Sequence, residues 1–203
     1  MTEPADAGAP VGDPLPVRFA NTLHAVRGTV HDDLDDARGL SAWLAASGLP
    51  VARVTRDDLA AARDLRDALR RVLAHVTGDD RPAARATGTV AAGEAGVAAA
   101  LEVLDAHRRA RPRDRLALVD GRVVREEPLG DGGAGAALAR VADEAAALLA
   151  GTDSPAVRAC GGPRCVVYFV RDHPRREWCS RACGERARAA RYYRRRRAGS
   201  GTA

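Results

Sequence analysis

Four cysteines lie close together near the end of the 203-residue chain: Cys160, Cys165, Cys179 and Cys183. They fall in two pairs, C-x4-C and C-x3-C, separated by thirteen residues. No other feature restricts the fold as much. Zinc takes four tetrahedral ligands and thiolates suit it. Gly161, Gly162 and Pro163 supply a tight turn inside the first pair. Val166 to Val170 is β-branched and aromatic and reads as a strand. The turn Asp172-His173-Pro174 and a return strand through Trp178 are expected to bring the second pair back. Ser180 reads as a helix cap, with Cys183 in the first helical turn. The expected fold is a treble-clef-like zinc ribbon followed by a basic helix. The other readings of four cysteines are disulfides or buried thiols. No secretory segment is recognisable, so a reducing compartment and Zn2+ are expected. His173 could stand in for one sulfur, but four thiolates already close the shell. A closed shell leaves no position for water, which argues against a catalytic metal.

Charge is sorted along the chain. Residues 156–203 hold 13 arginines and 3 acidic residues, whereas residues 1–155 hold 19 arginines and 24 acidic residues. Lysine is absent, and with so much Ala and Gly the arginine total reflects GC-rich coding. Coding bias does not separate charge by segment. A polyanionic partner for the tail is therefore expected. No apolar run approaches a membrane span.

Aromatics are only 3% of residues, so the front core must be built from Ala, Leu and Val, which favours packed helices. The fold class expected is mostly α with a small β-hairpin (α+β). Residues 1–14 read as disordered. Phe19, Leu23 and Val26 fall at helical spacing and suggest a first helix. An acidic loop follows over His31 to Asp36, then a helix from about Asp36 to Ser47. Thr55 to Asp58 resembles a capping box ahead of a long helix to about His75, with Leu59, Ala62, Leu65, Leu69, Val72 and Val76 inward. Gly78 to Gly88 reads as a loop. Val90 to His107 reads as a helix burying Val97, Leu101 and Leu104. A hairpin with an Asp120-Gly121 turn spans about 115–127. A last helix carries Leu138, Val141, Ala145, Leu148 and Leu149. The front thus covers 15–151, Thr152 to Pro155 links it to the finger at 156–197, and 198–203 is a disordered tail. Gly130 to Gly135 fits G-x-G-x-x-G, but an antiparallel hairpin precedes it where a dinucleotide fold needs a βαβ unit.

The tail resembles the CGNR zinc-finger family, carried by Cys183-Gly184-Glu185-Arg186 after Trp178-Cys179-Ser180. Glu185 stands where the family has Asn. The front is similar to the ABATE-type domain found with this finger, through Phe19-Ala20-Asn21-Thr22-Leu23 and the Leu40 to Leu49 helix. The resemblance implies a bacterial, cytoplasmic, stress-induced transcription regulator with DNA binding proposed.

At 100° per residue, Ala187 and Ala190 share the cysteine side of the last helix, while Arg188, Arg191, Tyr192, Arg195 and Arg196 face away. Arg186, Arg188, Arg191, Tyr192, Arg194, Arg195 and Arg196 are the candidate DNA contacts, and duplex DNA the expected partner. The alternative is an RNA-binding or protein-interaction ribbon. A front that senses a small-molecule effector would use its most polar cluster, Asn21, Thr22 and His24. A homodimer would suit one short reading helix. No nucleophile or zinc-protease motif appears, and no enzyme is expected. With finger and front read as separate units, Cys179→Ala is expected to unfold the finger alone.

Overall fold

The computed structural model describes residues 12–26, 28–86, 93–110, 115–126, 133–152 and 156–199. The segments assigned above to the disordered lead (1–11), part of the glycine-rich loop (130–132), most of the linker (153–155) and the end of the tail (200–203) lie outside the described residues.

The front is a helical layer around one long helix. The short helix α1 (Leu15–Ala20) leads into strands β1 (Leu23–Val26) and β2 (Thr29–Asp32), then α2 (Ala37–Ala46), α3 (Arg56–Thr77), α4 (Pro82–Ala86) and α5 (Glu94–Arg109). Strands β3 (Arg115–Val119) and β4 (Arg122–Glu126) follow, then α6 (Gly133–Ala150). The finger holds β5 (Val157–Ala159), β6 (Tyr168–Val170) and α7 (Arg181–Gly199). Helix α3 packs on α1, α2, α5 and α6 and on β5. Its start is fixed locally: Thr55 Oγ1 accepts from the Asp58 amide, and the Asp58 carboxylate accepts from the Thr55 amide. The Thr55 hydroxyl also donates to that carboxylate at 2.6 Å, and this bond first, then the Thr55 amide's, holds the Asp58 carboxyl below the usual range.

The first helix is shorter than its spacing suggests. Leu23 and Val26 lie on β1, and His31 and Asp32 lie on β2 rather than in a loop. The helix ends at Asn21, and Thr22 Oγ1 donates back to the Phe19 carbonyl. Three apolar residues at helical spacing also fit a short helix followed by a strand, and tertiary bonding decided between them. The stretch read as a loop from Gly78 holds α4, which begins at Pro82, where a missing amide costs nothing. Val76 and Leu101 are exposed by 44% each, contrary to expectation. On α5 the inward positions are Val97, Ala100 and Leu104, so a small alanine takes the place assigned to Leu101.

All three described sheets are antiparallel pairs. In β3–β4 the Asp120-Gly121 turn has positive φ at both residues, as a two-residue hairpin turn requires. This hairpin leaves Leu116, Leu118 and Val123 exposed. The finger's strands differ from the expected ones. The partner of β6 is β5, ahead of the cysteines, with Val157 opposite Val170. No strand runs through Trp178; Arg171 to Trp178 contains Pro174 and five charged residues, a poor strand.

The main core does not stop at the finger. Val157 and Tyr168 belong to the same buried cluster as Phe19, Leu40, Leu65, Leu69 and Val141. A second, smaller cluster contains Cys160, Cys165, Val167, Phe169 and Cys183, with Trp178 and Cys179 against it. Asp13, in the stretch read as disordered, is buried, and its carboxylate accepts from the Val170 amide at 3.1 Å. Burial raises its pKa. Among the described residues no helix is long and apolar enough to cross a membrane.

Candidate metal centre and basic helix

Strands β5 and β6 end on opposite sides of the turn that carries Cys160 and Cys165. The ladder continues one step past them, the Cys160 amide donating to the Val167 carbonyl at 3.0 Å, and the Cys165 amide closes the turn by donating to the Gly162 carbonyl at 3.0 Å. The second pair comes from the start of α7, where Ser180 Oγ accepts from the Cys183 amide at 3.3 Å. All four sulfurs lie within 4.8 Å of one another. The Cys179–Cys183 and Cys165–Cys179 separations are 3.4 and 3.8 Å. A tetrahedral zinc site with bonds near 2.3 Å needs sulfurs about 3.8 Å apart. The four cysteines are free thiols rather than disulfides, and they are placed to hold a zinc ion.

The electrostatics agree. Hydrogen bonding from Cys165 draws Cys160 down to about 7, and bonding from Cys160 pulls Cys183 well below the thiol range. Cys165 and Cys179 are driven up, with Cys160 again the leading cause. Four thiolates this close repel one another, so they do not all ionise without a cation among them. A divalent cation lets all four serve as thiolates. The Arg186 guanidinium donates to Cys183 Sγ at 2.9 Å, and the Cys179 amide to Cys160 Sγ at 3.4 Å. Such bonds orient ligands and offset the negative charge of a four-thiolate centre.

Two glycines make room. A Cβ on Gly162 would meet Cys183 Cβ at 3.0 Å and its sulfur at 3.2 Å; a Cβ on Gly184 would meet Trp178 Cε3 at 3.0 Å. Gly162→Ala is expected to weaken zinc binding about 10–100-fold, the range seen when a metal's outer contacts are disturbed. Competition with a chromophoric chelator measures it; an unchanged affinity would mean the knuckle absorbs the methyl group.

The front grips this knuckle by its backbone. Arg81 Nη1 donates to the Cys160, Cys165 and Val167 carbonyls at 2.9, 3.2 and 3.2 Å. Its other nitrogens bind the Asp79 carboxylate at 2.6 Å each. Tyr168 Oη donates to the same carboxylate at 2.8 Å. Burial raises the Asp79 pKa, but the Arg81 hydrogen bonds outweigh it and hold the carboxyl below its usual value. Arg70, 1% exposed, donates to Ala20 at 2.7 Å and, through Nη2, to Val166 at 3.0 Å. Arg70, Arg81 and Asp79 belong to no recognisable sequence motif. One signal was available: Arg66 and Arg70 fall on the inward stripe of α3, where a charge needs a partner.

Of the cluster suggested for an effector, Asn21 is occupied. Its amide donates to the Tyr168 carbonyl at 2.7 Å and accepts from the Tyr168 amide at 2.9 Å, adding a short rung to β6. Thr22 is buried and bonded to its own helix. His24 stacks on His31 with ring centres 5.8 Å apart, and its Nδ1 is buried 3.6 Å from the Asp33 carboxylate.

On α7, Ala187 is buried and Ala190 half-buried, on the side expected. Arg188, Arg191 and all of Tyr192 to Arg197 are exposed. Arg188 and Arg191 lie over the Trp178 ring at 5.9 and 5.6 Å. Arg186 is the exception among the candidate DNA contacts, being half-buried on the sulfur of Cys183. The Glu185 carboxylate, at the position of the CGNR asparagine, is paired with Arg181 at 2.9 Å.

The chain matches two families. Residues 156–196 match the CGNR zinc finger, and no curated protein matches the chain. Residues 13–152 match the ABATE family, described as "Putative stress-induced transcription regulator". That match spans well over half the chain and the adjoining finger supplies the four sulfurs, so the protein belongs to the ABATE family and carries a CGNR zinc finger at its C-terminal end.

Proposed function

We propose that the protein is a DNA-binding transcription regulator, a binding protein rather than a catalyst, whose α7 docks on duplex DNA at the nucleoid. One observation carries this reading: α7 starts at the metal ligands and then presents Arg188, Arg191, Tyr192 and Arg194 to Arg197 to solvent. Zinc fixes the direction of the first turn, and 19 residues at about 1.5 Å each make a rod near 28 Å long. Guanidinium forks match phosphate oxygens and guanine edges, and the major groove admits a helix. Arg194 to Arg197 suit phosphates; Arg188 and Arg191, steadied by Trp178, are better placed to read bases. Pairing with Arg181 offsets the charge Glu185 would present to phosphate.

Anisotropy of labelled duplex DNA against salt tests this with the zinc-loaded chain. Replacing Arg194 to Arg197 with glutamine is expected to flatten the log–log salt slope by about 0.9 per lost phosphate contact. Binding without salt dependence would remove the reading. Preference for hairpin RNA in competition would replace it with an RNA-binding ribbon.

A further inference from the structure

Between the front and the zinc knuckle lies a cleft of about 560 Å³. One wall is Gly28 and Val30 of the first hairpin with Pro82 and Ala83 of α4; the other is the knuckle, Gly161 to Cys165. The volume and the largely apolar walls suit a small organic molecule. Two guanidiniums reach it. That of Arg81 is engaged by Asp79 and three carbonyls. Arg164 makes no hydrogen bond or ion pair among the described residues. Its stem and guanidinium lie against Gly28, so the side chain crosses from one wall to the other.

The backbone of Arg164 is also unusual. Its φ is +59°, in the left-handed region that a β-carbon disfavours and glycine adopts freely. Within its own turn, Gly161 and Gly162 are close by, so the sequence places a bulky cation where glycine would be easier. Strain of this kind gathers at functional sites, ligand clamps among them.

We propose that this cleft binds a small amphipathic anion, an aliphatic or aromatic carboxylate. Its apolar body would lie against Val30, Pro82, Ala83 and Pro163, and its carboxylate would pair with Arg164. Such a ligand touches both modules at once and stabilises their docked arrangement by mass action. Only its use as an effector rests on the regulator reading; binding itself does not.

The test uses the full-length zinc-loaded protein and the fluorescent probe 1-anilinonaphthalene-8-sulfonate. One saturable site is expected, displaced by octanoate and not by octanol. Arg164→Gly removes the cation and relieves the backbone, so thermal stability should rise while probe affinity falls about tenfold, the scale of one lost charge-assisted contact. Ala83→Trp fills the cleft and should abolish binding. Leu118→Ser, on the exposed β3–β4 hairpin, should leave it unchanged. The proposal is overturned if no site saturates, if affinity survives both Arg164→Gly and Ala83→Trp, if it follows Leu118→Ser, or if octanol competes as well as octanoate. DNA affinity is measured on the same variants, so failure here and failure of the DNA reading are told apart.

Discussion

Chelating the metal, or removing one ligand with Cys179→Ala, is expected to destabilise the helical front as well as the finger. Structural zinc contributes about 10–16 kcal/mol in isolated finger peptides, which matches or exceeds the 5–15 kcal/mol that holds a whole domain folded. The knuckle and the first turn of α7 should therefore unfold. Independent modules would leave the front intact, and read from sequence alone they look independent. The packing argues otherwise. Val157 and Tyr168 are inside the main core, and the knuckle carbonyls are the acceptors for Arg70 and Arg81. Losing them strips partners from two largely buried guanidiniums, a change worth several kcal/mol. The chain has two tryptophans, one in each module. Trp43 packs on Phe19 with ring centres 5.0 Å apart and reports on the front. In a Trp178→Phe background, zinc removal should lower the Trp43 unfolding midpoint by about 10 °C or more, at 2–4 °C per kcal/mol for a chain this size. An unchanged midpoint would restore the picture of two separate units.

How much of this was legible beforehand follows from where each signal resides. The metal centre was readable because four ligands must sit at short, fixed spacings within one short stretch of chain. The capping box at Thr55 and the Asp120-Gly121 turn are likewise local chemistry, and both appear where expected. The first hairpin was not readable. Phe19, Leu23 and Val26 satisfy a helical period, and what ends the helix is Asn21 bonding a strand 147 residues away. The return strand failed for a related reason: β5 is three residues long, and pairing rather than composition defines it. Asn21 drew notice as a polar residue near an apolar helix, yet its partner is the backbone of Tyr168. Long-range side-chain-to-backbone bonds leave little trace in a single sequence. A charged residue inside an apolar stripe is the best clue they offer.

Arg70 is that clue, and Arg70→Met is expected to be among the most damaging single changes away from the cysteines. Methionine approximates the length and keeps the apolar packing, so the loss is chiefly the guanidinium. It binds the carbonyl of Ala20, the last residue of α1, along with Leu23 at 3.3 Å and Val166 in the knuckle. One planar cation thus joins a helix end, a strand start and the finger. Burial lowers its pKa to about 10, so it remains charged at neutral pH. Substitution leaves three carbonyls without this donor in a site where water is scarce. At about 1–3 kcal/mol for each buried group, less relaxation, the cost should be about 3–5 kcal/mol. That corresponds to a melting shift near 10 °C. Arg70→Lys separates charge from geometry. An ammonium keeps the cation but lacks the planar fork, so it should recover only part of the loss. The finger should respond too, because Val166 adjoins Cys165: amide exchange at Val167 and Tyr168 should quicken in both variants. A local effect would look different. If Arg70→Met lowers the melting point while exchange in the knuckle stays slow, Arg70 supports α1 alone and the front does not hold the metal centre through it.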